Sequence, residues 1–82
     1  MLACTFVWGD GTGGSEKKLD DAGSEDECLK LALEYPGANG ATWGVLGGGR
    51  DKECYAELGA TGSDNSYGKW KTCVISGQFI NI

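Results

Sequence analysis

Along the chain the spacing of apolar residues switches between the two-residue period of strands and the longer period of a helix. Residues 4–8 (CTFVW) are rich in aromatic and β-branched side chains and predict a strand. Residues 9–15 (GDGTGGS) have loop composition, and the polar stretch from Lys17 to Gly23 favours neither state. Ser24, Glu25, Asp26 and Glu27 then form a capping box, with Ser24 at the helix start and Glu27 three residues on. The three acids also suit the positive end of a helix dipole. Cys28, Leu31, Ala32 and Tyr35 follow at helical spacing, and Pro36-Gly37 stops the run. The spacing predicts a helix over residues 24–35.

Two strands are expected next, residues 41–46 and 53–58, joined by a glycine-rich turn at 47–51 into a hairpin. In the second strand Cys54, Ala56 and Leu58 point one way, and Tyr55 and Glu57 the other. Residues 59–68 form a loop and 69–75 a further strand. Residues 78–82 would be a last strand or a docked apolar tail. No repeat or linker divides the chain, so residues 1–82 are expected to be one domain. The fold class is α+β: one helix packed on an antiparallel sheet.

A chain of 82 residues with 15 glycines has a small core and much backbone entropy to lose. Cores of this size rarely supply more than about 3–5 kcal/mol, so staples are expected. Four cysteines are present, Cys4, Cys28, Cys54 and Cys73, with no close pair among them and no histidine in the chain. Structural zinc sites bring their ligands in close pairs. The even count therefore predicts a small disulfide-stabilised domain from an oxidising compartment, secreted and extracellular, with the pairing open. The start, Met1-Leu2-Ala3-Cys4, lacks the basic and long apolar stretches of a signal peptide, so a mature form is expected. No apolar run is long enough to cross a membrane. The net charge of −5, with seven dispersed basic residues, argues against nucleic-acid and membrane partners.

Catalysis is not expected. The commonest neutral-pH base, histidine, is missing, and the thiols are assigned to disulfides. The carboxylates at Asp20-Asp21 and Glu25-Asp26-Glu27 read as a solvated turn and a helix start. Aromatic residues are the stronger signal. Trp43 is assigned to the core. Trp8 precedes the Asp10 loop, and Tyr67 lies beside Asp64-Asn65-Ser66 and near Trp70. Sugar rings present apolar faces edged by hydroxyls, which suits an aromatic ring beside Asp or Asn. Core packing suits Trp8, Tyr67 and Trp70 equally well. The loops around Asp10 and Asp64 offer oxygens of the kind calcium takes, but ordinary turn chemistry accounts for both, and no metal or other cofactor is assigned. Arg50, at the hairpin tip, could pair with a carboxylate or sulfate.

These elements resemble the PAN/apple domain, an extracellular module of one helix cradled by an antiparallel sheet. The resemblance rests on a cysteine before the first strand, the helix SEDECLKLAL carrying Cys28, the strands NGATWG and ECYAEL, and the closing WKTCVI. It covers residues 4–73. The family's nested pairing, carried over by position, implies Cys4–Cys73 and Cys28–Cys54. A further helix cysteine of the family falls at Ala32, as if one bridge had been lost together with its partner. The resemblance implies a non-catalytic module binding carbohydrate, as a lectin does, or a protein ligand, in adhesion or innate recognition. The candidate ligand residues are Trp8, Asp10, Arg50, Asp64, Asn65, Tyr67 and Trp70. The rival readings are a secreted toxin or defence protein that blocks a protein target through Arg50, and a self-associating matrix protein.

Overall fold

The computed structural model describes residues 4–75. In chain order the elements are β1 (Val7–Trp8), β2 (Gly11–Thr12), β3 (Ser15–Lys18), α1 (Glu25–Leu33), β4 (Gly40–Gly44), β5 (Cys54–Leu58), β6 (Gly62–Ser63) and β7 (Trp70–Val74). Five strands form an antiparallel sheet in the order β1-β7-β4-β5-β3, and β2 and β6 pair as a separate ribbon. One helix packs on this sheet, so the chain is a small disulfide-stabilised α+β domain. Among the described residues no helix is long and apolar enough to cross a membrane.

The helix begins where the capping box predicts. Ser24 Oγ accepts a hydrogen bond from the Glu27 amide at 3.2 Å, while Glu27 Oε1 reaches back to the Gly23 amide at 2.8 Å. One face of α1 buries Cys28, Leu29 and Ala32 against β4 and β5. Leu29, outside the expected stripe of Cys28, Leu31, Ala32 and Tyr35, is the largest fully buried side chain. The stripe is turned because Leu31 and Tyr35 pack only partly, at its margin. Facing the helix are Ala41, Trp43, Cys54, Ala56 and Cys73. The alanines of β4 and β5 leave room for α1 to approach the sheet closely. Trp43, a core residue as expected, donates its Nε1 hydrogen to the Ala22 carbonyl at 2.9 Å, tying down the segment before the helix.

Both disulfides follow the pairing that the PAN/apple resemblance implies. Cys28–Cys54 ties α1 to β5, and Cys4–Cys73 ties the beginning of the chain to β7, each with Cα atoms 5.5 Å apart. The hairpin β4–β5 is also present, with Ala41 opposite Ala56. The strand expected over residues 4–8 shortens to Val7–Trp8. The candidate last strand at 78–82 lies outside the described residues.

The main departure from expectation lies in the two supposed loops. Residues 9–15 hold β2 and the start of β3, and residues 59–68 hold β6. Gly13 and Gly14, at φ +82° and +61°, make the turn from β2 to β3. A side chain at Gly14 would collide with the Leu58 carbonyl of β5. The turn therefore lays β2 across the sheet face opposite the helix and delivers β3 to the sheet edge. No period-two pattern marks these strands, since they carry glycine and polar residues.

Candidate functional site

The chain places five of the seven candidate ligand residues around the edge strand β1. Trp8 of β1 pairs with Lys71 of β7, so the two side chains share a face. Lys71 Nζ lies 4.7 Å from the centre of the Trp8 ring and 3.7 Å from Glu25 Oε2 at the start of α1. Tyr67 packs on Trp8 with ring centroids 4.4 Å apart and planes tilted by 44°. Tyr67 is nonetheless 81% exposed, while Trp8 is half-buried. The pair thus offers an aromatic surface to solvent, with a cation and a carboxylate at its margin.

The Asp10 and Asp64 loops meet beside this pair. Asp64 Oδ1 accepts hydrogen bonds from the Asp10 amide at 3.0 Å and the Ser66 amide at 2.9 Å. The Asp64 amide in turn donates to the Asp10 carbonyl at 2.9 Å. The Ser66 amide, then the Ser66 side chain and the Asp10 amide, hold the Asp64 carboxyl below the usual carboxylate range. Ser63 Oγ donates to the Trp8 carbonyl at 2.7 Å and accepts from the Asn65 amide at 3.0 Å. Asn65 takes the left-handed conformation at φ +62°, which short polar side chains tolerate. Asp64 and Asn65 thus act first as loop-builders that present Tyr67.

Trp70 and Arg50 stand apart from this group. Trp70 neighbours Lys71 in β7 and so faces the other side of the sheet. Its ring meets Tyr55 edge-on at 5.6 Å, and Lys18 Nζ lies 5.7 Å from the Tyr55 ring centre. The Tyr55 hydroxyl donates to Glu53 Oε1 at 2.9 Å, and Arg50 Nη1 pairs with Glu53 Oε2 at 3.3 Å. Burial, then the hydrogen bond and charge of Glu53, push the Tyr55 hydroxyl above its ordinary pKa. Arg50 therefore already has a carboxylate partner within its own hairpin. The hairpin tip is shaped by Asp51, whose carboxylate accepts from the Gly47 and Gly49 amides at 2.9 and 3.3 Å.

Sequence reasoning missed a line of buried polar groups beneath the β2–β6 ribbon. Thr42 of β4, Glu57 of β5 and Thr72 of β7 are each 1% exposed. Thr42 Oγ1 lies 2.6 Å from Glu57 Oε2 and 2.8 Å from Thr72 Oγ1. The Thr72 hydroxyl donates to the Gly9 carbonyl at 2.8 Å, one residue past Trp8. Carboxylate oxygens of Asp10, Glu16 and Glu57 lie within 4.8 Å of one another. Burial, opposed by the Thr42 hydrogen bond and reinforced by Glu16 and Asp10, pushes the Glu57 carboxyl up to about 7. Calcium takes about six to eight oxygens. This trio offers three carboxyl groups, one of them covered by the ribbon, and no metal is assigned to it.

The alternation in β5 correctly turns Glu57 away from the helix. The residue type then suggests solvent, and nothing local reveals the cover. The available signal is the glycine density of residues 9–14, which lets a backbone lie flat on a sheet face.

In comparisons with known proteins, no family model, curated protein or solved structure matched this chain.

Proposed function

We propose that this chain is a secreted, non-catalytic binding module of PAN/apple-like architecture that recognises carbohydrate through the Trp8–Tyr67 surface. The fold part of this reading is supported by one helix on an antiparallel sheet and by the nested disulfides. Two disulfides in so small a domain suit an oxidising, extracellular setting. The ligand part is carried by Tyr67, 81% exposed although stacked on a half-buried tryptophan. A large ring kept in water by a loop of four hydrogen bonds is a surface built for contact. Lys71 and Glu25 at its margin can meet hydroxyl or carboxylate groups of a sugar. The same surface suits an aromatic or apolar side chain of a protein ligand in adhesion or innate recognition.

The test is a glycan array read together with intrinsic tryptophan fluorescence. Binding that quenches or shifts Trp emission, and that is lost in Tyr67→Ala, supports the lectin form. An array with no hits, together with unchanged emission on sugar addition, removes it.

A further inference from the structure

The Glu57–Thr42–Thr72–Gly9 line can be read by counting hydrogens. It contains three contacts, at 2.6, 2.8 and 2.8 Å. Each contact needs one hydrogen. The two threonine hydroxyls bring two, and the Gly9 carbonyl brings none. If Glu57 is ionised, one contact is left without a hydrogen. If Glu57 carries a proton, the acid donates to Thr42, Thr42 to Thr72, and Thr72 to Gly9, and every contact is made.

The surroundings favour the same form. Glu57 is buried, and its carboxyl lies against Gly11 of β2, where a β-carbon would fall 2.6 Å from its Cδ. The charged groups facing it are Asp10 from the β1–β2 turn and Glu16 from β3, both acidic. The threonines are what β4 and β7 present, and Ser63 of β6 is engaged with the Trp8 carbonyl. Lys18 of β3, on this sheet face, lies over the Tyr55 ring. Ionising Glu57 would bury a negative charge beneath a ribbon of glycine, threonine and serine, with two further acidic side chains beside it.

We propose that Glu57 is a proton-operated clasp: protonated, it completes the relay that holds the β2–β6 ribbon on the sheet, and ionised, it releases the ribbon. The relay ends on the Gly9 carbonyl, in the peptide that joins Gly9 to Asp10, so release also loosens the loop pair Asp10–Asp64 that presents Tyr67. The clasp is a property of the free protein and stands whether or not Trp8–Tyr67 binds sugar.

The experiment is a carbon-detected NMR titration of the Glu57 carboxyl in chelator-containing buffer, with amide exchange followed on the same sample. The reporting amides are Thr61, bonded to the Thr12 carbonyl, and Asp64, bonded to the Asp10 carbonyl. If ionisation requires opening, their protection, corrected for intrinsic exchange, falls by up to about tenfold per pH unit between the ordinary glutamate value and the Glu57 midpoint, and levels off above that midpoint. Glu57→Gln supplies the donor permanently, and its Thr61 and Asp64 protection should not depend on pH. Asp10→Asn and Glu16→Gln, which leave the relay intact, should each lower the wild-type midpoint. A Glu57 midpoint in the ordinary glutamate range overturns the proposal. So does a pH-dependent loss of protection that persists in Glu57→Gln. Closure of the ribbon by calcium at alkaline pH would assign the site to a cation and overturn it as well.

Discussion

The α-carbon of Gly11 rests on the carboxyl group of Glu57, so closely that a β-carbon there would sit 2.6–2.7 Å from three of its atoms. Position 11 is thus small for a packing reason. Gly11→Ala should lift β2 from the sheet or push Glu57 aside. Overpacking of this kind costs about 1–3 kcal/mol. Chemical denaturation should show that loss, and the NMR shifts that move most should belong to residues 9–12 and 61–64. A variant with wild-type stability would mean that the ribbon does not seal the carboxyl.

Glu57 also sets a pH dependence of stability. Its folded pKa of about 7 stands above the ordinary value of 4.5. Between those values the folded chain holds more protons than the unfolded chain, so stability declines as pH rises through that window. The contribution is fully present below the unfolded value and lost once pH passes the folded one. A shift of this size corresponds to on the order of 3 kcal/mol for this one group. Asp51 and Asp64, both exposed, have lowered values and act oppositely, losing their contribution as pH falls through the acid range. Denaturant midpoints measured from about pH 5 to about pH 8 should therefore fall in the wild type and stay level in Glu57→Gln. A wild-type curve that rises over that range would contradict the assignment.

The helix-on-sheet half of this molecule was legible in the sequence, and the ribbon half was not. Ser24, Glu27 and the Cys28/Ala32 spacing mark α1 because capping and helical burial are local rules. The β4–β5 hairpin is marked by two apolar runs around a glycine turn. By contrast, β2 and β6 are two residues each, Gly11–Thr12 and Gly62–Ser63, and pair across about fifty positions of sequence. Such strands are held by partners rather than propensity, so no window around Gly11 or Gly62 can reveal them. The same holds for the site. Trp8 and Tyr67 could each have been core or surface, and only their stacking across β1 leaves Tyr67 outward. Glu57 reads as a solvated strand residue until the ribbon covers it.

The two disulfides should differ in what their loss does. Cys28–Cys54 closes a loop of 26 residues and crosses the core between α1 and β5. The chain-entropy relation gives roughly 3–4 kcal/mol for it, and its sulfur atoms also fill core volume. Cys4–Cys73 closes 69 residues, worth roughly 4 kcal/mol on the same relation, with Cys4 only half-buried. Replacing Cys28 and Cys54 by alanine should abolish cooperative thermal unfolding, since the loss matches the whole core of a domain this small. Replacing Cys4 and Cys73 should lower the midpoint yet leave α1 helical by circular dichroism. Equal collapse of helical signal in both variants would show that α1 needs the terminal tie as much as its own.

Tyr67→Ala separates binding from folding. The side chain is 81% exposed and stacks on Trp8, so its removal should cost no more than about 0.5 kcal/mol of stability. The loop beneath it is held by Asp64, Ser63 and Asn65 through backbone bonds that do not involve the ring. Asp64→Ala should behave differently. It frees the Asp10 and Ser66 amides and should lower the denaturation midpoint, while Tyr67 becomes mobile. On any glycan or protein ligand that quenches tryptophan emission, Tyr67→Ala should weaken binding about tenfold or more, given about 1–3 kcal/mol for a stacked ring. Trp70→Ala, on the opposite sheet face, should leave that affinity unchanged while lowering stability through the lost Tyr55 contact. If Trp70→Ala abolishes binding and Tyr67→Ala does not, the ligand surface lies on the Tyr55–Trp70 face with Arg50 and Glu53.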